Sequence, residues 1–216
     1  MSDTSTLVTA ELFQYLAERT VREDDFLRGL KHDAAAEGLP PIWIAPEQAS
    51  FMQILLRAAA ARNVVEIGTL GGVSAIAMAR ALPEGGRVRT IEIEKKHAEF
   101  ARRWIAKSDV ADRIEVIQGA GMDVLPAFDG DSADAAFLDA DKASYPRYLT
   151  ECLRIVRRGG LILVDNAFAF GELFSDRPVN ASTPAVRAFN DIMAAERRLQ
   201  SVIVPLGDGL WVGVKL

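Results

Sequence analysis

The chain reads as an α/β protein with a doubly wound, mostly parallel seven-stranded sheet whose last strand runs antiparallel. Three observations predict this. From Asn63 onward, short apolar runs alternate with helical stretches long enough to cross back over a sheet, the rhythm of parallel strands joined by right-handed crossovers. Two of the runs, F-L-D-A-D-K from Phe137 to Lys142 and I-L-V-D-N from Ile162 to Asn166, stop in acids. They carry Asp and Asn to the rim, where an open sheet binds its ligands. The last two runs, V-I-V and L-W-V-G-V, are joined by P-L-G-D-G, which reads as a hairpin and reverses the final strand.

At 216 residues, half of them hydrophobic, the chain suits one domain over 1–216. Within it, 1–62 reads as an N-terminal helical lid region and 63–216 as the cofactor-binding α/β core. The formal charge of −5 argues against a broad phosphate-tracking surface, so nucleic acid is not the default partner. The N-terminus, M-S-D-T-S-T-L-V-T-A-E-L-F, has no basic segment followed by an apolar core, and no window approaches a run of apolar residues long enough to span a bilayer. A soluble, cytoplasmic protein with no membrane partner is expected. Cys152 is the only cysteine, which excludes an intramolecular disulfide and a cysteine cluster. Its spacing from Leu149, Leu153 and Val156 predicts an inert core thiol.

In chain order, the pattern from about Thr9 to Ala61 is helical and is punctuated by Pro40, Pro41 and Pro46. Phe51, Ile54, Leu55 and Ala58 form one apolar helical face. Trp43, in P-P-I-W-I-A-P, is a candidate wall of a substrate site or, equally, a packing anchor. The strand V-V-E-I follows, then a glycine-rich turn, a helix with Ala75, Met78, Ala79 and Leu82 on one face, and the strand V-R-T-I-E-I. A helix through Phe100 and Trp104 leads to I-E-V-I and A-A-F-L-D. A helix from about Ser144 to Val156 leads to L-I-L-V-D, and Gly159 and Gly160 are expected to end that helix as a left-handed cap. A loop from Phe168 to Pro184 precedes a helix near Ala185 to Arg197.

The turn E-I-G-T-L-G-G-V-S, Glu66 to Ser74, joins the first strand to its helix. Its glycines let backbone N–H groups approach a ligand at a helix N-terminus. The dinucleotide spacing fails, because Leu70 and Val73 stand where glycine is needed. A carboxylate at Glu66 would repel a pyrophosphate but suits a ligand bearing an ammonium and a sulfonium, as S-adenosylmethionine does. Glu92 ends the second strand, where an acid can accept hydrogen bonds from both ribose hydroxyls. Asp139, Asp165 and Asn166 offer hard oxygen ligands on strand ends expected to be neighbours, which suits magnesium or calcium. Read singly, Asp139 is as well explained as a helix cap and Asp-Asn as an Asx turn. Lys142, three residues past Asp139, is a candidate general base whose proton a nearby cation would loosen. His32 and His97 lack a partner pattern and read as surface or helix-face residues.

With these motifs in place, the chain resembles the cation-dependent O-methyltransferases, the family of caffeoyl-coenzyme A and catechol O-methyltransferases, and especially its compact bacterial members. The resemblance runs from about Pro40 to the C-terminus through E-I-G-T-L-G-G-V-S, I-E-I-E, F-L-D-A-D-K, V-D-N and P-L-G-D-G-L. It implies a Rossmann-like, class I S-adenosylmethionine-dependent methyltransferase fold and a homodimer. By the same resemblance Glu66, Gly68 and Ser74 bind the amino acid part of the cofactor, Glu92 its ribose, and Ile44, Ile93, Gly121 and Asp141 lie against it. Asp139, Asp165 and Asn166 hold the metal, and Lys142 takes the proton. Two departures stand out. Gly71 and Val73 replace the family's usual Thr and Tyr in the turn, which predicts a less closely packed cofactor site, and the loop A-F-A-F-G-E-L-F matches no member closely.

The expected reaction is methyl transfer from S-adenosylmethionine to one hydroxyl of an ortho-dihydroxy aromatic small molecule. Magnesium is the first choice of metal, with calcium or manganese as alternatives, and Trp43, Phe168 and Phe170 are the expected substrate walls. One rival is methylation of a hydroxylated uridine in transfer RNA, for which Arg19, Arg22, Arg28 and Lys31 are the concentrated basic residues. A second is a non-catalytic module that keeps the fold for partner contacts.

Overall fold

The structure is a computed structural model that describes residues 7–20 and 22–216. The first six positions of the N-terminal stretch read above lie outside the described residues. Three helices open the chain. Helix α1 (Ala10–Arg19) is capped by Thr9, whose hydroxyl accepts from Leu12 N at 3.2 Å. Helix α2 (Asp25–Ala36) is capped in the same way by Asp24 at 2.9 Å, and α3 (Pro46–Ala58) starts on a proline that needs no N–H partner there. The buried face of α3 is Gln48, Met52 and Leu56, while Ile54 and Ala58 of the expected apolar face are exposed. The face is turned because its first position is a glutamine, which hydropathy does not count as core.

The alternation then runs β1 (Asn63–Ile67), α4 (Val73–Ala79), β2 (Arg87–Glu92), α5 (Lys95–Ile105), β3 (Ile114–Gln118), α6 (Gly121–Val124) and β4 (Ala133–Leu138). It continues with α7 (Tyr145–Ile155), β5 (Val156–Val164), α8 (Thr183–Ala195), β6 (Leu199–Val204) and β7 (Leu210–Lys215). The seven strands form one sheet in the order β3-β2-β1-β4-β5-β7-β6, and only β7 runs against its neighbours. The expected mostly parallel, doubly wound sheet with a reversed last strand is therefore present.

Strand alternation sends neighbouring residues to opposite faces. Val64, Val88, Phe137 and Leu163 pack under α2 to α5, whereas Val65, Ile91, Leu138 and Val164 pack under α7 and α8. Both faces are covered, so the central strands read as nearly continuous apolar runs. Cys152 lies in the second core at 1% exposure, and burial pushes its thiol above the ordinary value.

Gly159 and Gly160 do not cap a helix. Helix α7 ends at Ile155 and both glycines lie inside β5. Gly159 is left-handed at φ +73, and the β4–β5 register slips between Ala133 and Ala135, so the pair forms an irregular entry to the strand. Among the described residues no helix is long and apolar enough to cross a membrane.

Candidate active site

Strand register builds the site. Ile67 pairs with Ile91 and Leu138, and Leu138 pairs with Val164. The residues that follow, Glu92, Gly68, Asp139 and Asp165, therefore stand side by side at one rim. Backbone bonds extend the pairing past the strands, from Gly68 N to Ile91 O, Asp139 N to Ile67 O and Asp165 N to Leu138 O, at 2.9, 2.9 and 3.0 Å. A cavity of about 660 Å³ opens above this rim, roofed by the loop from Pro40 to Ala45.

The glycine turn and Glu92 form one end. Gly68, at φ +99, has no room for a side chain, because a Cβ there would overlap the Asp139 carbonyl oxygen. The glycine is thus required by the approach of β1 to the end of β4. Glu92 is 6% exposed; its Oε2 accepts from Thr69 N at 3.1 Å and Leu70 N at 2.7 Å, and its Oε1 from Glu94 N at 2.9 Å. It shapes the turn while facing the cavity. Ile44, Gly68, Ser74, Ile93, Gly121 and Asp141 also line the wall.

Glu66 does not line it. It is fully buried behind Ser74, whose hydroxyl it binds, and its Oε2 has no hydrogen-bond partner. Burial pushes its carboxyl up to about 8, opposed by the Ser74 and Thr90 hydroxyls. Glu66, expected to touch the cofactor directly, stands behind Ser74, because the strand alternation that sends Ile67 to the cavity side turns Glu66 to the other face.

His97 is the reverse case. It lies on the cavity wall with Nδ1 3.8 Å from Glu92 Oε1, since the first turn of α5 folds back over the end of β2. Only the chain's return across that strand end could have paired the two. His32 is exposed, as expected.

Asp141, not Asp139, caps the next turn, accepting from Ser144 N at 3.0 Å. Its other oxygen accepts from the Tyr148 hydroxyl at 2.9 Å. The Tyr148 ring lies on Gly121, where a Cβ would come within 2.7 Å of it, and burial with Asp141 pushes the phenol up to about 12.

At the other end, Lys142 is 8% exposed and its Nζ donates to Asp139 Oδ1 at 2.9 Å and to the Tyr145 hydroxyl at 2.7 Å. Asp165 is 7% exposed; its Oδ1 accepts from Gln48 Nε2 at 2.8 Å and from Asn166 N at 2.7 Å. Burial, followed by the nearby Asp139 charge, pushes the Asp165 carboxyl up to about 7. Asn166 is left-handed at φ +65, and its Nδ2 donates to Asp208 Oδ2 at 3.0 Å. Among the described residues no three His, Cys, Asp or Glu side chains converge as a metal centre. The candidate set offers two carboxylates and one carboxamide instead. Two carboxylates, of which Asp165 is made costlier to ionise by burial and by the Asp139 charge, beside an amide oxygen, fit a hard divalent cation. Asp208 lies in the P-L-G-D-G turn, which the sequence marked as a hairpin without assigning Asp208 a role, and Gln48, from α3, carried no signal of its own.

Trp43 and Phe170 line the cavity, but Phe168 does not. Phe168 packs on Gly209, where a Cβ would stand 2.8 Å from its ring. The departure at Gly71 is filled by Trp43, whose ring carbons would lie 3.0 and 3.1 Å from a Cβ there. That part of the turn is closely packed after all, because the indole occupies the space a larger residue would take. The basic residues that a transfer RNA substrate would need form no continuous track: Arg19 pairs with Glu18, Arg28 with Asp25 and Lys31 with Glu23, Arg22 is exposed, and none lines the cavity.

The chain is similar to known proteins along almost its whole length. Residues 17–216 match the O-methyltransferase family. A catechol O-methyltransferase of Niastella koreensis is 34% identical over 204 residues, covering 93% of this chain and 90% of that protein. One from Mycobacterium tuberculosis is 36% identical over 203 residues, covering 94% and 92%. The crystal structure of an O-methyltransferase from Bacillus cereus in complex with SAH superposes with a TM-score of 0.85 at 34% identity, over 95% of this chain and 97% of that one. With the family pattern matched along nearly the whole chain and such relatives covered almost end to end, the chain belongs to the O-methyltransferase family.

Proposed function

We propose that this O-methyltransferase takes its methyl group from S-adenosylmethionine and delivers it to one hydroxyl of an ortho-dihydroxy aromatic small molecule. In this reading Asp139, Asp165 and Asn166 hold a divalent cation, magnesium first. The observation that carries it is the shared cavity: the glycine turn and Glu92 at one end, and Asp139, Lys142, Asp165 and Asn166 at the other. The catechol O-methyltransferase names of the relatives and the SAH in the Bacillus cereus structure support the same reading.

Each residue then has a task. Glu92 accepts the ribose hydroxyls, Asp141 lies against the cofactor, and Glu66 steadies Ser74 at the cofactor's amino acid part. A bound divalent cation supplies positive charge that favours a deprotonated acceptor hydroxyl at neutral pH. Lys142, in its neutral amine form, takes the proton and becomes the ammonium, held beside Asp139 by its second bond to Tyr145. Trp43 and Phe170 flank the aromatic ring and keep water out. Holding oxygen and methyl in line is the main source of rate, since displacement at a methyl carbon needs little covalent help.

Turnover of a catechol panel, with and without magnesium and a strong chelator, tests this. Full activity of an Asp165→Ala enzyme in chelator would sink the cation. Turnover of a hydroxylated-uridine RNA that collapses with salt would favour the transfer RNA reading instead. The proposal includes a homodimer, for which α1, with no fully buried residue, leaves an apolar face half covered; sedimentation equilibrium checks it.

A further inference from the structure

Two carboxamide–carboxylate pairs each join a proposed cation ligand to a neighbouring side chain on the cavity wall. Gln48 Nε2 donates to Asp165 Oδ1 at 2.8 Å, and Asn166 Nδ2 donates to Asp208 Oδ2 at 3.0 Å. An ionised carboxylate accepts hydrogen bonds and donates none, so each pairing fixes which end of the amide faces the acid. For Asn166 the NH₂ is taken by Asp208, and Oδ1 is the atom left for the cavity that Asn166 lines. Turned the other way, the amide would present N–H groups to a cation. For Asp165, Gln48 and the Asn166 N–H both occupy Oδ1, and among the described residues Oδ2 receives no donor.

The two outer residues are themselves held. Gln48 is 1% exposed at the start of α3, and its Oε1 lies against Gly207, where any Cβ would overlap it. Asp208 sits between Gly207 and Gly209, left-handed at φ +55 and +80. Its Oδ2 also accepts from Phe170 N at 2.8 Å, and its carbonyl accepts from Phe168 N at 2.9 Å. The β6–β7 turn is thereby fastened to the segment that follows β5, and α3 is fastened to both.

We propose that Asp208 and Gln48 are positioning residues that decide which atoms of Asn166 and Asp165 meet the cation. This rests on the cation reading above. Outer hydrogen bonds of this kind typically change metal affinity about 10–100-fold when removed.

The test is Mn²⁺ binding to the full chain without acceptor, followed by electron paramagnetic resonance of the free ion. Binding of S-adenosylhomocysteine is measured in parallel by calorimetry. Asp208→Ala and the volume-conserving Gln48→Met should each weaken Mn²⁺ about 10–100-fold and leave the second ligand within about twofold. The deciding arm repeats Asp208→Ala in an Asn166→Asp background. A carboxylate at 166 has two equivalent oxygens and needs no orienting, so loss of Asp208 should there cost no affinity. Equal weakening in both backgrounds marks a general structural role and overturns the assignment for Asp208. Unaltered Mn²⁺ binding by Gln48→Met overturns it for Gln48, and that variant stands even where Asp208→Ala does not fold. Wild-type chain that binds no Mn²⁺ overturns the cation reading and this inference with it. Wild-type binding lost in Asp139→Asn but intact in both outer variants overturns this inference alone.

Discussion

Lys142 Nζ lies 2.9 Å from Asp139 Oδ1, a proposed proton acceptor bonded to a proposed cation ligand on one wall of the cavity. Removing the amine should remove proton transfer while leaving cofactor contacts intact. Lys142→Ala is expected to lower kcat about 10²–10⁴-fold, the usual range for a lost general base. Initial rates, with cofactor affinity by calorimetry held within about twofold, check this.

Glu66 predicts a pH dependence of stability. Burial holds it protonated to about pH 8, whereas its ordinary value is 4.5. Between those values the folded chain carries the extra proton, so this contribution is full below the lower value and is lost as pH rises through the upper one. One proton gives a slope of at most about 1.4 kcal/mol per pH unit. Urea midpoints of the ligand-free chain from pH 4.5 to 8.5 should show this component in the wild type and lack it in Glu66→Gln.

The Trp43 and Gly71 contact predicts that the two positions act together. Gly71→Thr forces the indole off the turn, at a cost of about 1–3 kcal/mol for overpacking. Raised KM for an aromatic acceptor should accompany altered near-ultraviolet circular dichroism. An unchanged KM would remove Trp43 from the acceptor wall.

Phe168 and Phe170 should separate cleanly. Phe170→Ala is expected to raise acceptor KM with little change in Tm, since Phe170 lines the cavity and is 41% exposed. Phe168→Ala should lower stability by about 1–3 kcal/mol through lost packing on Gly209. Thermal melts and steady-state kinetics on the two variants distinguish these outcomes.

Much of the sheet and its acid-tipped strand ends was determined by the sequence itself. A period-two or continuous apolar run is a local property, and so is the acid that stops it; the runs ending at Leu138 and Val164 therefore announced Asp139 and Asp165. Gly159 and Gly160 misled because two glycines after a helix satisfy a cap and a strand bulge equally well, and only pairing with β4 chose the bulge. Tertiary structure alone decided the rest. It set Glu66 behind Ser74, brought His97 to Glu92, seated Trp43 on Gly71, and joined Gln48 to Asp165 across 117 positions of chain. Such contacts depend on strand order and on how far each loop returns over the rim. Residue spacing along the chain carries no record of either.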